Sequence, residues 1–218
     1  GVASPGGATG AMDRALDGAI SKLIELGDLR GKSGEFVTIH TFGKIPAPRV
    51  VVAGLGKRED FDIDAVRNLA ANVLRHVRKP GVSRVATIVH GAGIAGLDPA
   101  ACAQAIAEGA LLGTYRFERH KAKTNNNDEK AEISELTIVE HDQSKVAVMQ
   151  EAVERGKALA AATNFARDLA NEPSNHLTPT ELAARATAMV NSAGGLEIEV
   201  LEREDMERKG MGSLLSVA

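Results

Sequence analysis

Tryptophan is absent from the 218 residues, tyrosine occurs once and phenylalanine five times. With 3% aromatic against 44% hydrophobic residues, any core must be built from aliphatic side chains and alanine. The lone Cys102 excludes an intrachain disulfide and suits a reducing compartment. No run is both long and apolar enough to span a bilayer, and nothing has the form of a signal peptide. A cytoplasmic location without a membrane partner is therefore expected. Neither sign of charge dominates: 26 Lys and Arg against 29 Asp and Glu leave −3, too near neutral to imply a polyanion partner. The six histidines include no pair at metal-ligand spacing, and there is no internal repeat. The length suits one large domain, or one domain with part of another.

Residues 1–8 are rich in Gly, Pro and Ser and read as extended. Thr9 caps a predicted helix to Leu26, with Met12, Leu16, Ala19, Ile20 and Leu23 on one face and Gly27 as its stop. Glu35 to Phe42 alternates as a strand does. Arg49 to Leu55 is a continuous apolar run, the pattern of a strand covered on both faces. A helix from Asp62 to Lys79 turns Ile63, Val66, Ala70, Val73 and Val77 inward and ends at Pro80-Gly81. Arg84 to His90 reads as a second buried strand, and Asp98-Pro99 opens a helix reaching Gly113. The Asn-rich stretch 121–131 is the expected mobile loop before a strand from Glu135 to Glu140. Strands alternating with helices indicate an α/β fold with a mixed, partly parallel sheet flanked by helices.

The organising stretch comes next. From Ser144 onward Val146, Met149, Val153, Gly156, Ala160, Thr163, Arg167 and Ala170 recur at spacings of three and four. A helix throughout would span roughly 40 Å. Pro173 stops it, having no amide to give and pushing its predecessor out of the α region. Thr178-Pro179-Thr180-Glu181 restarts one: Thr178 accepts from a free amide, Pro179 suits the first helical position and Glu181 closes a capping box. Asn171, Asn175 and Thr178 satisfy backbone groups at the two helix ends, or shape a neighbouring pocket. Arg167 and Asp168 read as interdomain or subunit contacts. Beyond the elbow a helix runs to about Ser192, Gly194-Gly195 ends it, Leu196 to Leu201 reads as a strand and a short helix lies around 205–209. These 45 or so residues are too few for an independent core.

Three stretches carry a resemblance. Asn164 to Pro179, with Asn171-Glu172-Pro173-Ser174-Asn175-His176-Leu177-Thr178-Pro179 at its centre, is similar to the segment preceding the catalytic motifs of the leucyl aminopeptidase family (peptidase family M17). Val50 to Lys57 resembles the family's buried strand with its Gly-Leu-Gly turn, and Glu108 to Phe117 the segment closing its amino-terminal domain. The resemblance implies a macro-domain-like unit at 1–142, a long interdomain helix at 143–172 and the beginning of a catalytic domain at 173–218, an incomplete second α/β unit. It further implies an opening strand ahead of Gly1 and the remainder of the catalytic domain beyond Ala218. The family's chemistry is removal of amino-terminal residues from peptides by two divalent metals, Zn or Mn, within a homohexamer. The Lys and carboxylate ligands belong to motifs of the larger domain, such as Asn-Thr-Asp-Ala-Glu-Gly-Arg, which do not occur here. No catalytic or metal residue is carried over, and the role implied for this stretch is architectural.

Other motifs admit rival readings. Gly91-Ala92-Gly93-Ile94-Ala95-Gly96 matches the dinucleotide fingerprint, but Asp98 at the next helix start occupies the anion position and no acidic strand end follows. A tight turn is the plainer reading. Gly31-Lys32-Ser33 resembles a phosphate loop but leads into a strand. Gly54-Leu55-Gly56-Lys57 ends a strand where open α/β sheets bind ligands, which leaves a small anion as the rival to a plain turn. The alternative function, an ADP-ribose or nucleotide-binding module, is what the macro-domain resemblance implies. Arg67, Arg75, Arg78 and Lys79 give one helix a basic side, solvated or facing DNA. His40 and His90, at strand ends, read as hydrogen-bonded structural residues.

Overall fold

A computed structural model gives the fold and describes residues 5–79, 81–92, 96–121 and 132–217. Pro80, Gly93-Ile94-Ala95 and most of the Asn-rich loop lie outside the described residues. The chain forms two compact units, Gly1–Phe165 and Ala166–Ala218.

The first unit opens with two helices where the sequence predicts one, α1 (Gly7–Ala15) and α2 (Ala19–Leu26). The break has a local cause. Asp17 and Gly18 are left-handed, at φ 54° and 79°. Asp13 folds over the gap, its carboxylate accepting from the amides of Ile20 (2.8 Å) and Ser21 (3.0 Å) and from the Ser21 hydroxyl (2.6 Å). An acid in the last turn of α1 thus satisfies the free amides of α2. The Ser21 hydroxyl and amide hold the Asp13 carboxyl below its ordinary value. Thr9 is not the cap. The helix begins at Gly7, inside the stretch expected to be extended, and Gly6 is its N-cap. Gly27, at φ 78°, ends α2 as expected.

β1 (Phe36–His40) pairs antiparallel with β2 (Arg49–Ala53), Phe36 opposite Ala53 and His40 opposite Arg49. β3 (Arg84–Ile88) and β4 (Glu135–Val139) are parallel, with Arg84 opposite Glu135. Among the described residues each pair is its own two-stranded sheet. Both strands expected to be fully covered are not. Every residue of β2 is only half-buried, and β3 alternates, leaving Ile88 46% exposed. An apolar run records side-chain chemistry, whereas coverage depends on how many layers pack against the ribbon.

Both central helices start as their sequences dictate. The Asp62 carboxylate accepts from the Ala65 amide (2.8 Å) at the start of α3 (Ile63–Val77), and Asp98 from Ala101 (2.9 Å) at α4 (Pro99–Thr114). These two helices enclose the core: Val66, Leu69 and Ala70 from α3 meet Cys102, Ala103, Ala105 and Ile106 from α4, with Phe61, Val89 and Met149. Aromatic bulk is not needed because backbones approach closely. A Cβ added to Gly109 would lie 2.0 Å from the Arg67 carbonyl oxygen. The helix α5 (Gln143–Asn171) uses the same device: Met149, Ala152, Gly156 and Ala160 are buried, and Gly156 leaves no room for a Cβ beside the Gln104 carbonyl.

The second unit holds the end of α5, then α6 (Pro179–Ala193), α7 (Arg203–Arg208) and α8 (Gly212–Leu215). No strand forms at Leu196–Leu201. Leu196 and Val200 are 58% and 47% exposed on a segment without a ladder. The alternation there is strand-like, but a strand exists only with a partner. Among the described residues of this unit only Glu172 is buried, so it holds no apolar core. No described helix is long and apolar enough to cross a membrane.

Candidate functional site

Among the described residues, two places where the sequence points to a site gather polar side chains in a defined geometry. One is the elbow after α5. Thr178 accepts from the Glu181 amide (3.3 Å) with Pro179 in the first turn, as the sequence indicates. Glu181 departs from expectation. Instead of returning to the cap, its carboxylate accepts from Arg185 Nε at 2.8 Å, four residues on. The same guanidinium meets Glu172, whose side chain is fully buried, at 3.2 Å. Hydrogen bonds from Arg185 to Glu181 and then Glu172 raise its already high pKa, so it is a permanent cation. The Pro173 carbonyl accepts from the amides of His176 (2.8 Å) and Leu177 (2.9 Å), closing a tight turn. Asn175 is exposed in that turn, Asn171 ends α5, and Arg167 and Asp168 are half-buried one turn earlier. Glu172 and Arg185 were not singled out by sequence. The signal available was the i,i+4 pair Glu181–Arg185.

The other place is a cleft of about 300 Å³ at the end of β2, between the loop at 31–34 and α3. Ser33, Phe36, Gly54, Phe61, Asp64 and Asn68 are among its walls. It forms because Gly54 passes beneath the neighbouring loop: a Cβ there would lie 2.0 Å from the Lys32 carbonyl oxygen, and the Gly56 amide donates to Gly31 O at 2.9 Å. The phosphate-loop lookalike Gly31-Lys32-Ser33 belongs to this junction, and the amides of Gly31 and Lys32 are taken. One Glu35 oxygen accepts from the amides of Arg30 (2.9 Å) and Lys32 (3.1 Å). Burial pushes the Glu35 carboxyl up, but these amides together with that of Gly31 outweigh it and hold it below the ordinary value. A carboxylate of the chain's own fills the nest an anion would use.

The remaining sequence candidates are absorbed by structure. On α3, Arg67 Nε donates to the buried Glu108 at 2.6 Å while Nη1 meets Asp64; Gln104 also donates to Glu108, at 2.8 Å. Arg75 donates to Asn72 and Arg78 to the Thr114 carbonyl. Much of the basic side is therefore engaged within the unit. At Gly91, with φ 95°, an added Cβ would press within 3.1–3.2 Å of Phe61, Val66 and Cys102. His90 is a structural histidine of an unusual kind: Nδ1 lies 3.4 Å from the Thr87 hydroxyl, while Nε2 is buried without a partner. Burial pushes its imidazole down to about 4. Burial also raises the Cys102 thiol, which argues against a nucleophile. Among the described residues no three of His, Cys, Asp and Glu form a group that could hold a metal, so a di-metal centre finds no ligand set within them.

Comparison with known proteins places these units. The family-wide sequence model of the cytosol aminopeptidase N-terminal domain matches residues 2–124, and that of the family's catalytic domain matches residues 164–218. A probable cytosol aminopeptidase of Alkaliphilus metalliredigens is 41% identical over 206 residues, covering 94% of this chain and 41% of the relative. One from Methylobacillus flagellatus is 35% identical, over 96% of this chain and 42% of its own. The chain thus spans about two fifths of the length of these relatives. Among solved structures, the bottromycin maturation enzyme BotP in complex with Mn superposes with a TM-score of 0.64 at 26% identity, over 87% of this chain and 35% of that one. A mutant of tomato leucine aminopeptidase shares the fold, with a TM-score of 0.76 at 21% identity over 92% of this chain and 38% of that one. The N-terminal match alone takes in more than half of the residues, and the chain belongs to the cytosol aminopeptidase family.

Proposed function

We propose that this chain supplies the amino-terminal part of a di-metal leucyl aminopeptidase: a macro-domain-like unit at 1–142, a connecting helix at 143–172 and the start of the catalytic domain at 173–218. The observation that carries this reading is the order of the two family matches, N-terminal over 2–124 and catalytic over 164–218. The names of the relatives support an enzyme that removes amino-terminal residues from peptides in the cytoplasm. A similar protein solved with Mn supports divalent metals, Zn or Mn, in the whole enzyme. In that enzyme the metals would polarise the scissile carbonyl and activate a water. The part played by this chain is architectural: it organises a homohexamer and limits access to the active site.

The test compares two proteins, the 218-residue chain and the same chain continued through a whole catalytic domain. With Mn or Zn added, leucine p-nitroanilide should be hydrolysed by the longer protein only. Turnover by the shorter chain, or tight stoichiometric metal on it, overturns the reading. Removing 1–142 from the longer protein should dissolve the hexamer; a hexamer that persists would refute the architectural role.

A further inference from the structure

We infer that the tip of the β1–β2 hairpin docks against a second copy of this chain, two tips meeting about a two-fold with the Phe42 rings at the centre. The inference rests on the homohexamer proposed above and names a surface that joins its copies. Strain marks the place. Among the described residues only two non-glycines have positive φ, Asp17 at 54° and Phe42 at 50°, and they share one patch. Lys44, two residues past Phe42, meets the Asp17 carboxylate at 2.8 Å. Conformations of this kind persist only where the surroundings fix them, and they gather at functional positions. Here they are fixed on both sides. The Lys44 amide donates to Thr41 O at 3.1 Å, and buried Thr41 is tied to Ala47 and Pro48. Opposite, the Gly18 amide donates to Asp13 O at 2.8 Å. The tip is rigid before any partner arrives, which lowers the entropic cost of docking.

What the strain secures is exposure. Phe42 is the most exposed large hydrophobic side chain among the described residues, and a fixed, protruding aromatic is the common anchor of a protein interface. The charges beside it select the occupant. With one base and one acid the patch is complementary to itself: a two-fold that brings ring to ring sets Lys44 of each copy opposite Asp17 of the other, an isologous contact. Lys44 and Asp17 are 47% and 76% exposed. An ion pair so exposed contributes little within one chain, so exchanging it between copies loses little while two rings leave water. A polyanion would instead meet like charge at Asp17. All of these residues lie in the first unit.

The experiment takes the chain continued through a whole catalytic domain and finds, by analytical ultracentrifugation, the concentration at which its assembly first dissociates. Phe42→Gly should raise that concentration by at least about 100-fold, the scale of two aromatic rings returned to water. Its thermal midpoint should not fall, which separates a lost contact from a damaged fold. Lys44→Asp sets acid against acid and should raise the concentration about tenfold; adding Asp17→Lys should restore it. If Phe42→Gly dissociates where the parent does while removal of residues 1–142 still dissolves the hexamer, the tip contact is refuted and the proposed function stands. If the parent is monomeric, both fall. A thermal midpoint of Phe42→Gly that drops along with the assembly, or a double charge swap that restores nothing, also overturns the inference.

Discussion

Arg185 reaches thirteen residues back along the chain to Glu172, with Nη1 3.2 Å from a carboxylate oxygen of a side chain that has no exposed surface. This places a paired charge at the one buried position among the described residues of the second unit, beside the proline that ends α5. The elbow is therefore held from within, by a cation that also binds Glu181.

The first prediction follows from that pairing. Arg185→Leu removes the cation paired with a buried carboxylate and should destabilise the turn by roughly 2 kcal/mol, below the full range for buried pairs because the guanidinium is partly exposed. The amides of His176 and Leu177, which donate to Pro173, should exchange with solvent about 30-fold faster. Glu172→Gln keeps the shape without the charge and should lose less. Unchanged exchange in Arg185→Leu would mean that the ion pair is not what closes the elbow.

A second prediction concerns Gly109. In an exposed helix interior, replacing glycine by alanine stabilises by about 1 kcal/mol. Here the sign reverses, because the added Cβ would sit 2.0 Å from a backbone carbonyl of α3 that has no rotamer to give. Gly109→Ala should lower stability by roughly 2–3 kcal/mol, and a urea midpoint measurement decides. Gly212→Ala is the control, since nothing lies within 4 Å of its Cβ position.

How much of this was readable beforehand depends on the range of the interaction. Asp62, Asp98 and Thr178 act within three residues, so the starts of α3, α4 and α6 follow from the sequence alone. The break between α1 and α2 does not, since Asp13 reaches seven and eight residues ahead and Gly18 reads equally well inside a helix. Strand coverage at β2 and β3 depends on layers supplied by distant segments. Gly54-Leu55-Gly56 marks the right strand end for a cleft, but the carboxylates on its wall, Asp62 and Asp64, come from the start of the next helix. The Glu172–Arg185 pair spans a turn whose geometry only the fold fixes.

Phe42 yields a third prediction. It is 92% exposed at the tip between β1 and β2 and sits at φ 50°, a left-handed conformation that a bulky side chain rarely adopts. The loop imposes this from beneath: Thr41 is buried, its hydroxyl donating to Ala47 O at 2.7 Å and its amide to Pro48 O at 3.1 Å. Removing the side chain forfeits little burial and relieves strain. Phe42→Gly should raise stability by about 1 kcal/mol, seen as a higher thermal midpoint. A fall of that size would show that the ring contributes contacts beyond its approach to His40 at 6.1 Å.

The last prediction turns on His90 and has a definite sign. In the unfolded chain the imidazole takes a proton below about 6.5; in the fold it resists until about 4, because burial disfavours the charged form. Between those values the unfolded state binds more protons, so stability falls as pH drops through that window and is insensitive to His90 above it. The ceiling is about 3 kcal/mol, of which about 2 should be lost by pH 5. Burial also lowers His76, which adds to the trend, so the measurement must isolate His90. His90→Asn keeps a group near the Thr87 hydroxyl without the titrating ring. Urea unfolding of both proteins at pH 7 and pH 5 should show a steeper loss for the parent by about 2 kcal/mol. Parallel losses would show that the ring finds a protonated arrangement in the fold, with Nε2 opening to water as the proton arrives.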